Sequence, residues 1–148
     1  MDEKKFADLI GQMVRKINIL NKDQKVCFGL TIPQCYTVET LGSRGKLPMN
    51  ELSQAMGVTI STMTRTVDIL VRMDLVKRFA DPDDRRKVYI ELTVEGLNME
   101  QKLRECSFFY SNEILKHIPP EKAGMVLDSL GLLLEGIDKV KENLCCIY

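Results

Sequence analysis

The sequence predicts a mainly α fold with a small β component, an α+β chain of six helices and one hairpin. Three observations lead there. Apolar residues recur at three- and four-residue spacing along most of the chain. That period switches to two in only two places, 75–79 and 87–92, on either side of a polar turn. The chain has 148 residues and is 45% hydrophobic and 28% charged, which suits one folded domain with a real core and suits neither disorder nor a membrane protein.

The first helix is expected over 4–22, where Phe6, Leu9, Ile10, Met13, Ile17 and Leu20 form a stripe. The second begins after Thr31, with Pro33 in its first turn and Gln34 three residues past the cap, and runs to about Leu41, ended by Gly42 and Gly45. A short third helix spans about Pro48–Met56 with Leu52, Ala55 and Met56 inward, and Gly57 breaks it. Thr59 or Ser61 caps a fourth, which runs to about Met73 with Met63, Val67, Ile69, Leu70 and Met73 near one face. Leu75–Phe79 and Lys87–Leu92 then alternate as two strands around the charged turn 81–86. Thr93 caps a long helix to about His117, with Glu95 in its first turn favouring the helix dipole, and Pro119-Pro120 stops it. The last helix covers about 121–144, with Met125, Leu130, Leu133, Leu134, Ile137, Val140 and Leu144 apolar. Long amphipathic helices at both ends of so small a chain have few partners inside it, so they are expected to bury their stripes against a second copy.

Several function classes are disfavoured at once. There is one His and no Trp, no phosphate-binding Gly loop, nucleophile elbow or metalloprotease motif, and no CxxC pair. An enzyme, a metal site and a cofactor are therefore not expected. No apolar run approaches the roughly 20 residues that span a bilayer, and MDEKKFADLI has no apolar core of a signal peptide, so a cytoplasmic protein is expected. Formal net charge is zero, which argues against indiscriminate coating of nucleic acid. The charge is uneven, however. Residues 1–30 and 59–90 each carry a net +2, 31–58 balance, and 91–148 carry −4.

The most informative stretch runs from Glu51 to Leu92. Two helices joined by a tight turn at Gly57 make a helix-turn-helix, with Ala55 small at the crossing and Val58 plugging the angle. The second helix of such a motif enters the major groove N-terminus first. Here that end shows Thr59, Ser61, Thr62, Thr64, Arg65 and Thr66. Short hydroxyls can bond phosphates or base edges, and Arg65 can bond guanine or a phosphate. A solvated helix with ordinary capping would show the same residues. The hairpin that follows decides between the two, because a charged hairpin after a helix-turn-helix is a wing. Its tip, Arg85-Arg86-Lys87, could reach an adjacent minor groove, and Asp83 or Asp84 could fix an Arg by a charge-assisted bond.

The run from Leu52 through Gly96 resembles the MarR family of winged helix-turn-helix transcriptional regulators. The resemblance rests on Asp84-Arg85-Arg86, Ile90-Glu91-Leu92-Thr93, Glu95-Gly96 and Leu75-Val76-Lys77-Arg78. It implies a single domain over 1–148, with dimerisation helices at 1–30 and 94–148 and a DNA-binding lobe at 31–93. It implies a homodimer on a pseudo-palindromic double-stranded operator, most simply a repressor released by a small aromatic or phenolic effector. Carried onto this sequence, the major-groove readers are Ser61, Thr62 and Arg65, the minor-groove reader is Arg86, and Asp84 orients the wing. Asp74 departs from the family, which usually has Gly before the first wing strand. Asp tolerates left-handed backbone better than most residues.

Five cysteines, Cys27, Cys35, Cys106, Cys145 and Cys146, are not expected to form structural disulfides. Cys27 and Cys35 flank the start of the second helix, where a dipole lowers a thiol pKa, so a thiol-based redox repressor is one alternative. Packing as a small apolar residue is the other reading of Cys35. Phe28, Leu30, Tyr36, Phe108, Phe109 and Tyr110 could line an effector pocket or be core. A winged helix used for protein contacts rather than DNA is a further alternative, disfavoured by the Thr/Ser/Arg helix and the basic wing.

Overall fold

The computed structural model describes residues 2–26, 28–81, 84 and 87–144, with backbone alone for 21–26 and 141–144. Cys27, Asp83, Arg85, Arg86, Cys145 and Cys146 lie outside the described residues. The elements follow the order α1 (Glu3–Val26), α2 (Ile32–Arg44), β1 (Leu47–Pro48), α3 (Met49–Ala55), α4 (Ile60–Arg72), β2 (Val76–Ala80), β3 (Val88–Leu92), α5 (Val94–Leu115) and α6 (Pro120–Leu144). The chain groups into two compact units, residues 1–106 and 107–148.

The first unit holds the core. Cys35, Val38 and Leu41 of α2 meet Leu52 of α3, Met63, Val67 and Leu70 of α4, Val76, Ile90 and Leu92 of the sheet, and Leu103 of α5, together with Leu30 and Leu75. Each fully buried aliphatic side chain of this kind contributes about 1.5–3 kcal/mol of transfer free energy. Met63, Val67 and Leu70 stand four and three residues apart on one face of α4, so the remaining face is left to solvent.

The sheet order is β1-β3-β2, all antiparallel. Phe79 lies opposite Tyr89, with ring centroids 5.8 Å apart, and Lys77 lies opposite Glu91, with Nζ 3.2 Å from the carboxylate. Strand β1 was not expected. It is two residues long, too short for any periodicity, and it pairs Leu47 with Ile90 and Pro48 with Tyr89. An edge position is where a sheet tolerates proline.

Two helix ends close by the same left-handed device. After α3, Gly57 has φ 65°, its N–H donates to Gln54 O (3.1 Å), and Val58 N–H donates to Ser53 O (3.1 Å). After α4, Asp74 has φ 57°, its N–H donates to Val71 O (3.0 Å), and Leu75 N–H donates to Leu70 O (2.9 Å). Asp74 therefore holds the conformation for which Gly is the usual choice, as expected of the departure at that position. Val58 does not plug the helix crossing; it is 39% exposed, and Leu52 fills the interior instead.

Gly42 does not end α2. The helix runs through it to Arg44, and Gly45 (φ 74°) makes the break, its N–H donating to Leu41 O at 2.9 Å. Gly42 serves packing: a Cβ there would collide with the Glu100 side chain of α5. Glu100 is itself buried and pairs with Arg104 one turn on. At the start of α2, Thr31 and Gln34 form the expected capping box, with Thr31 N–H donating to Gln34 Oε1 at 2.8 Å.

Apolar side chains remain exposed on the terminal helices. They include Phe6, Leu9 and Ile17 of α1, Phe108 and Phe109 of α5, and Met125, Leu127, Leu130, Leu134, Ile137 and Val140 of α6. No helix among the described residues is long and apolar enough to cross a membrane.

Candidate nucleic-acid interface

The start of α4 presents a cluster of hydroxyls. Thr59 caps the helix by accepting from Thr62 N–H (3.3 Å). Its Oγ1 also lies 3.0 Å from Ser61 Oγ and donates to Thr62 Oγ1 at 3.0 Å. Thr59, Ser61, Thr62 and Arg65 are all exposed. Unsatisfied N–H groups and the positive end of the dipole make this terminus suited to phosphate oxygens. Thr64 and Thr66 are placed differently. Their hydroxyls donate back to Ile60 O (2.8 Å) and Thr62 O (3.2 Å), and both side chains are half-buried.

The wing meets the same end of α4. An open groove of about 770 Å³ is lined by Pro48, Met49, Asn50 and Glu51 at the start of α3, Ile60 and Thr64 of α4, and Arg78, Lys87, Val88 and Tyr89 of the wing. Arg78 ties the two parts together: its Nη2 lies 2.7 Å from Asp68 Oδ1 and donates to Thr64 O at 3.2 Å. Beyond the strands, Asp81 N–H donates to Lys87 O (2.9 Å), Lys87 N–H to Asp84 O (2.9 Å), and Asp84 N–H to Asp81 Oδ1 (3.3 Å). Lys87 is exposed and Asp84 half-buried.

Arg78 lines this groove without having been singled out as a contact, and Lys46 packs on the rings of the wing strands. Lys46 Nζ sits 5.7 Å from the Phe79 ring centroid and 5.4 Å from that of Tyr89. The alternation of β2 could have put Arg78 on the side facing α4. Nothing local marks Lys46, whose neighbours are supplied by strand pairing.

A match to the MarR family covers residues 30–88. The HTH-type transcriptional regulator YsmB of Bacillus subtilis is 30% identical over 125 residues, 84% of this chain and 81% of YsmB. The chain belongs to the MarR family. The HTH-type transcriptional repressor YetL of Bacillus subtilis is 30% identical to this MarR-family chain over 97 residues, 66% of the chain and 58% of YetL. The crystal structure of Streptococcus pneumoniae FabT in complex with DNA superposes with a TM-score of 0.81 at 16% identity, covering 94% of this chain and 99% of that one. That likeness is one of fold: a winged helix with long terminal helices.

The cysteines divide. Cys35 is fully buried in the core beside Val38 and Leu41, and Cys106 is half-buried. A sensing thiol needs access to solvent and oxidant, which Cys35 lacks. Among the residues offered for an effector pocket, Leu30 belongs to the core, Phe28 packs against it, and Tyr36 is exposed. In the second unit Phe109 meets Tyr110 edge-on at 5.6 Å, and Phe108 and Phe109 are exposed.

Proposed function

We propose that this MarR-family chain is a homodimeric, sequence-specific repressor that binds a pseudo-palindromic double-stranded operator and leaves it when a small aromatic or phenolic ligand binds. The observation that carries the reading is a groove that Ile60 and Thr64 of α4 line together with Arg78 and Lys87 of the wing, at the helix end that exposes Ser61, Thr62 and Arg65 to solvent. The fold likeness to a FabT–DNA complex and the likeness to the repressor YetL support it.

In this reading 31–93 is the DNA-binding lobe. Ser61, Thr62 and Arg65 read the major groove, Thr59 and Thr66 support that helix end, and Lys87 with Arg85 and Arg86 serves the flanking minor groove beside Asp84. Helices within 1–30 and 94–148 form the dimer, whose contact would cover the apolar side chains now exposed on α1, α5 and α6. Half-sites then lie about one helical turn apart.

The test starts from a random duplex library, from which the protein selects its own site. Fluorescence anisotropy on that duplex, across salt concentrations, should show log K falling by about 0.9 per neutralised phosphate for each decade of salt. Arg65→Ala should weaken binding by roughly five- to hundredfold while leaving the dimer folded, the range expected for a lost base contact. No enrichment over random DNA, or an Arg65→Ala protein that binds as the parent does, would refute the assignment.

A further inference from the structure

The junction between α4, the wing and α5 is tied by one side chain. Thr93 N–H donates to Leu75 O (3.1 Å), the Thr93 hydroxyl donates to Asp74 O, and Gly96 N–H donates to the same hydroxyl oxygen (2.9 Å). Thr93 thus bonds both residues that close the C-terminus of α4, while its own side chain caps α5. Gly96 completes the contact, because its Cα rests against the Leu75 carbonyl so closely that a Cβ would overlap the oxygen. Asp74 and Leu75 are in turn bonded into the last turn of α4 through Val71 and Leu70. An unbroken chain of hydrogen bonds therefore runs from the reading helix to the first turn of α5.

We infer that Thr93 is a positioning residue that locks α4 to the start of α5, so that the separation of the two reading helices in the dimer is set through this joint and operator spacing is read by it. The inference rests on the homodimeric, DNA-binding reading above. Thr93 touches no DNA in this scheme. It decides how steeply affinity falls when half-sites are moved, because each inserted base pair turns one half-site by about 34° relative to the other. A rigid joint cannot follow that rotation; a loosened one can.

The experiment uses the full-length protein and the duplex selected by the parent, with spacers shortened or lengthened by one base pair. Thr93→Val keeps the branched shape but removes both hydroxyl bonds. It should lower affinity for the selected spacing by roughly three- to tenfold, because a loosened joint must be ordered again on binding. The spacing penalty should shrink from at least about tenfold in the parent to under about threefold, while affinity for an isolated half-site stays unchanged. Thr93→Ser, which keeps the hydroxyl, should restore the penalty. Amide exchange at Gly96 reports the joint without DNA and should speed up in Thr93→Val alone. A folded Thr93→Val protein with the parent's spacing penalty overturns the joint and leaves the DNA-binding reading standing. A parent that selects no site overturns that reading and the joint with it.

Discussion

Gly96→Ala isolates a single steric term. A Cβ at this position would overlap Leu75 O and come within 3.0 Å of the Leu75 carbonyl carbon and 3.2 Å of Leu92 Cδ2. The Leu75 oxygen cannot withdraw freely, because it accepts from Thr93 N–H at 3.1 Å. Leu75 is only 5% exposed and Leu92 only 7%, so both sides of the contact are packed. The first turn of α5 must move outward. That movement gives up the Thr93–Leu75 bond, about 1 kcal/mol, and adds overpacking strain of about 1–3 kcal/mol. Alanine's better helix propensity returns less than about 1 kcal/mol. The expected destabilisation is about 1–4 kcal/mol.

Gly42→Ala is the matched control. Its obstacle is a side chain rather than backbone, Cγ of the buried Glu100, so relief requires Glu100 to turn from its root and leave Arg104. Its net cost should stay below that of Gly96→Ala, since a side chain can change rotamer where a hydrogen-bonded carbonyl cannot, and the helix gains propensity. Urea unfolding followed by circular dichroism, at one fixed protomer concentration, measures both. A Gly96→Ala cost no greater than that of Gly42→Ala would show that the Leu75–Gly96 approach is not a rigid constraint.

Asp74→Gly should stabilise the protein by up to about 1 kcal/mol by removing a side chain from left-handed backbone at φ 57°, a gain partly offset by the freer unfolded chain. Asp74→Val should destabilise it by more than about 1 kcal/mol; equal melting temperatures for the two would refute the strain argument. Cys35, with no exposed surface, should react with iodoacetamide only as fast as the protein unfolds, as read by peptide mass spectrometry. Rapid native labelling of Cys35 would reinstate the thiol-sensor alternative.

Periodicity and punctuation determined most of this chain's architecture. A stripe of Met63, Val67 and Leu70 leaves Ser61, Thr62 and Arg65 outside whatever the partner surface is, because helix geometry alone separates those faces. The alternation on either side of a charged turn likewise specified a hairpin, and Thr93 with Glu95 specified the start of α5. These are local signals, carried within a few residues of the element they describe. Tertiary structure decided the rest. The two-residue strand β1 exists only because β3 offers it an edge. Gly42, read along the chain as a stop, is a gap in α2 kept for Glu100, fifty-eight positions later. Arg78 becomes the clasp between wing and reading helix only when β2 packs beside α4 and brings Asp68 and Thr64 O within reach. Cys35, at the helix start that would favour a reactive thiolate, is withdrawn from solvent inside a cluster that gathers side chains from α3, α4, β2, β3, α5 and the segment before α2. Sequence spacing fixes which residues share a face; only packing brings distant faces together, and burial, close approach and the joint at Thr93 all follow from that meeting.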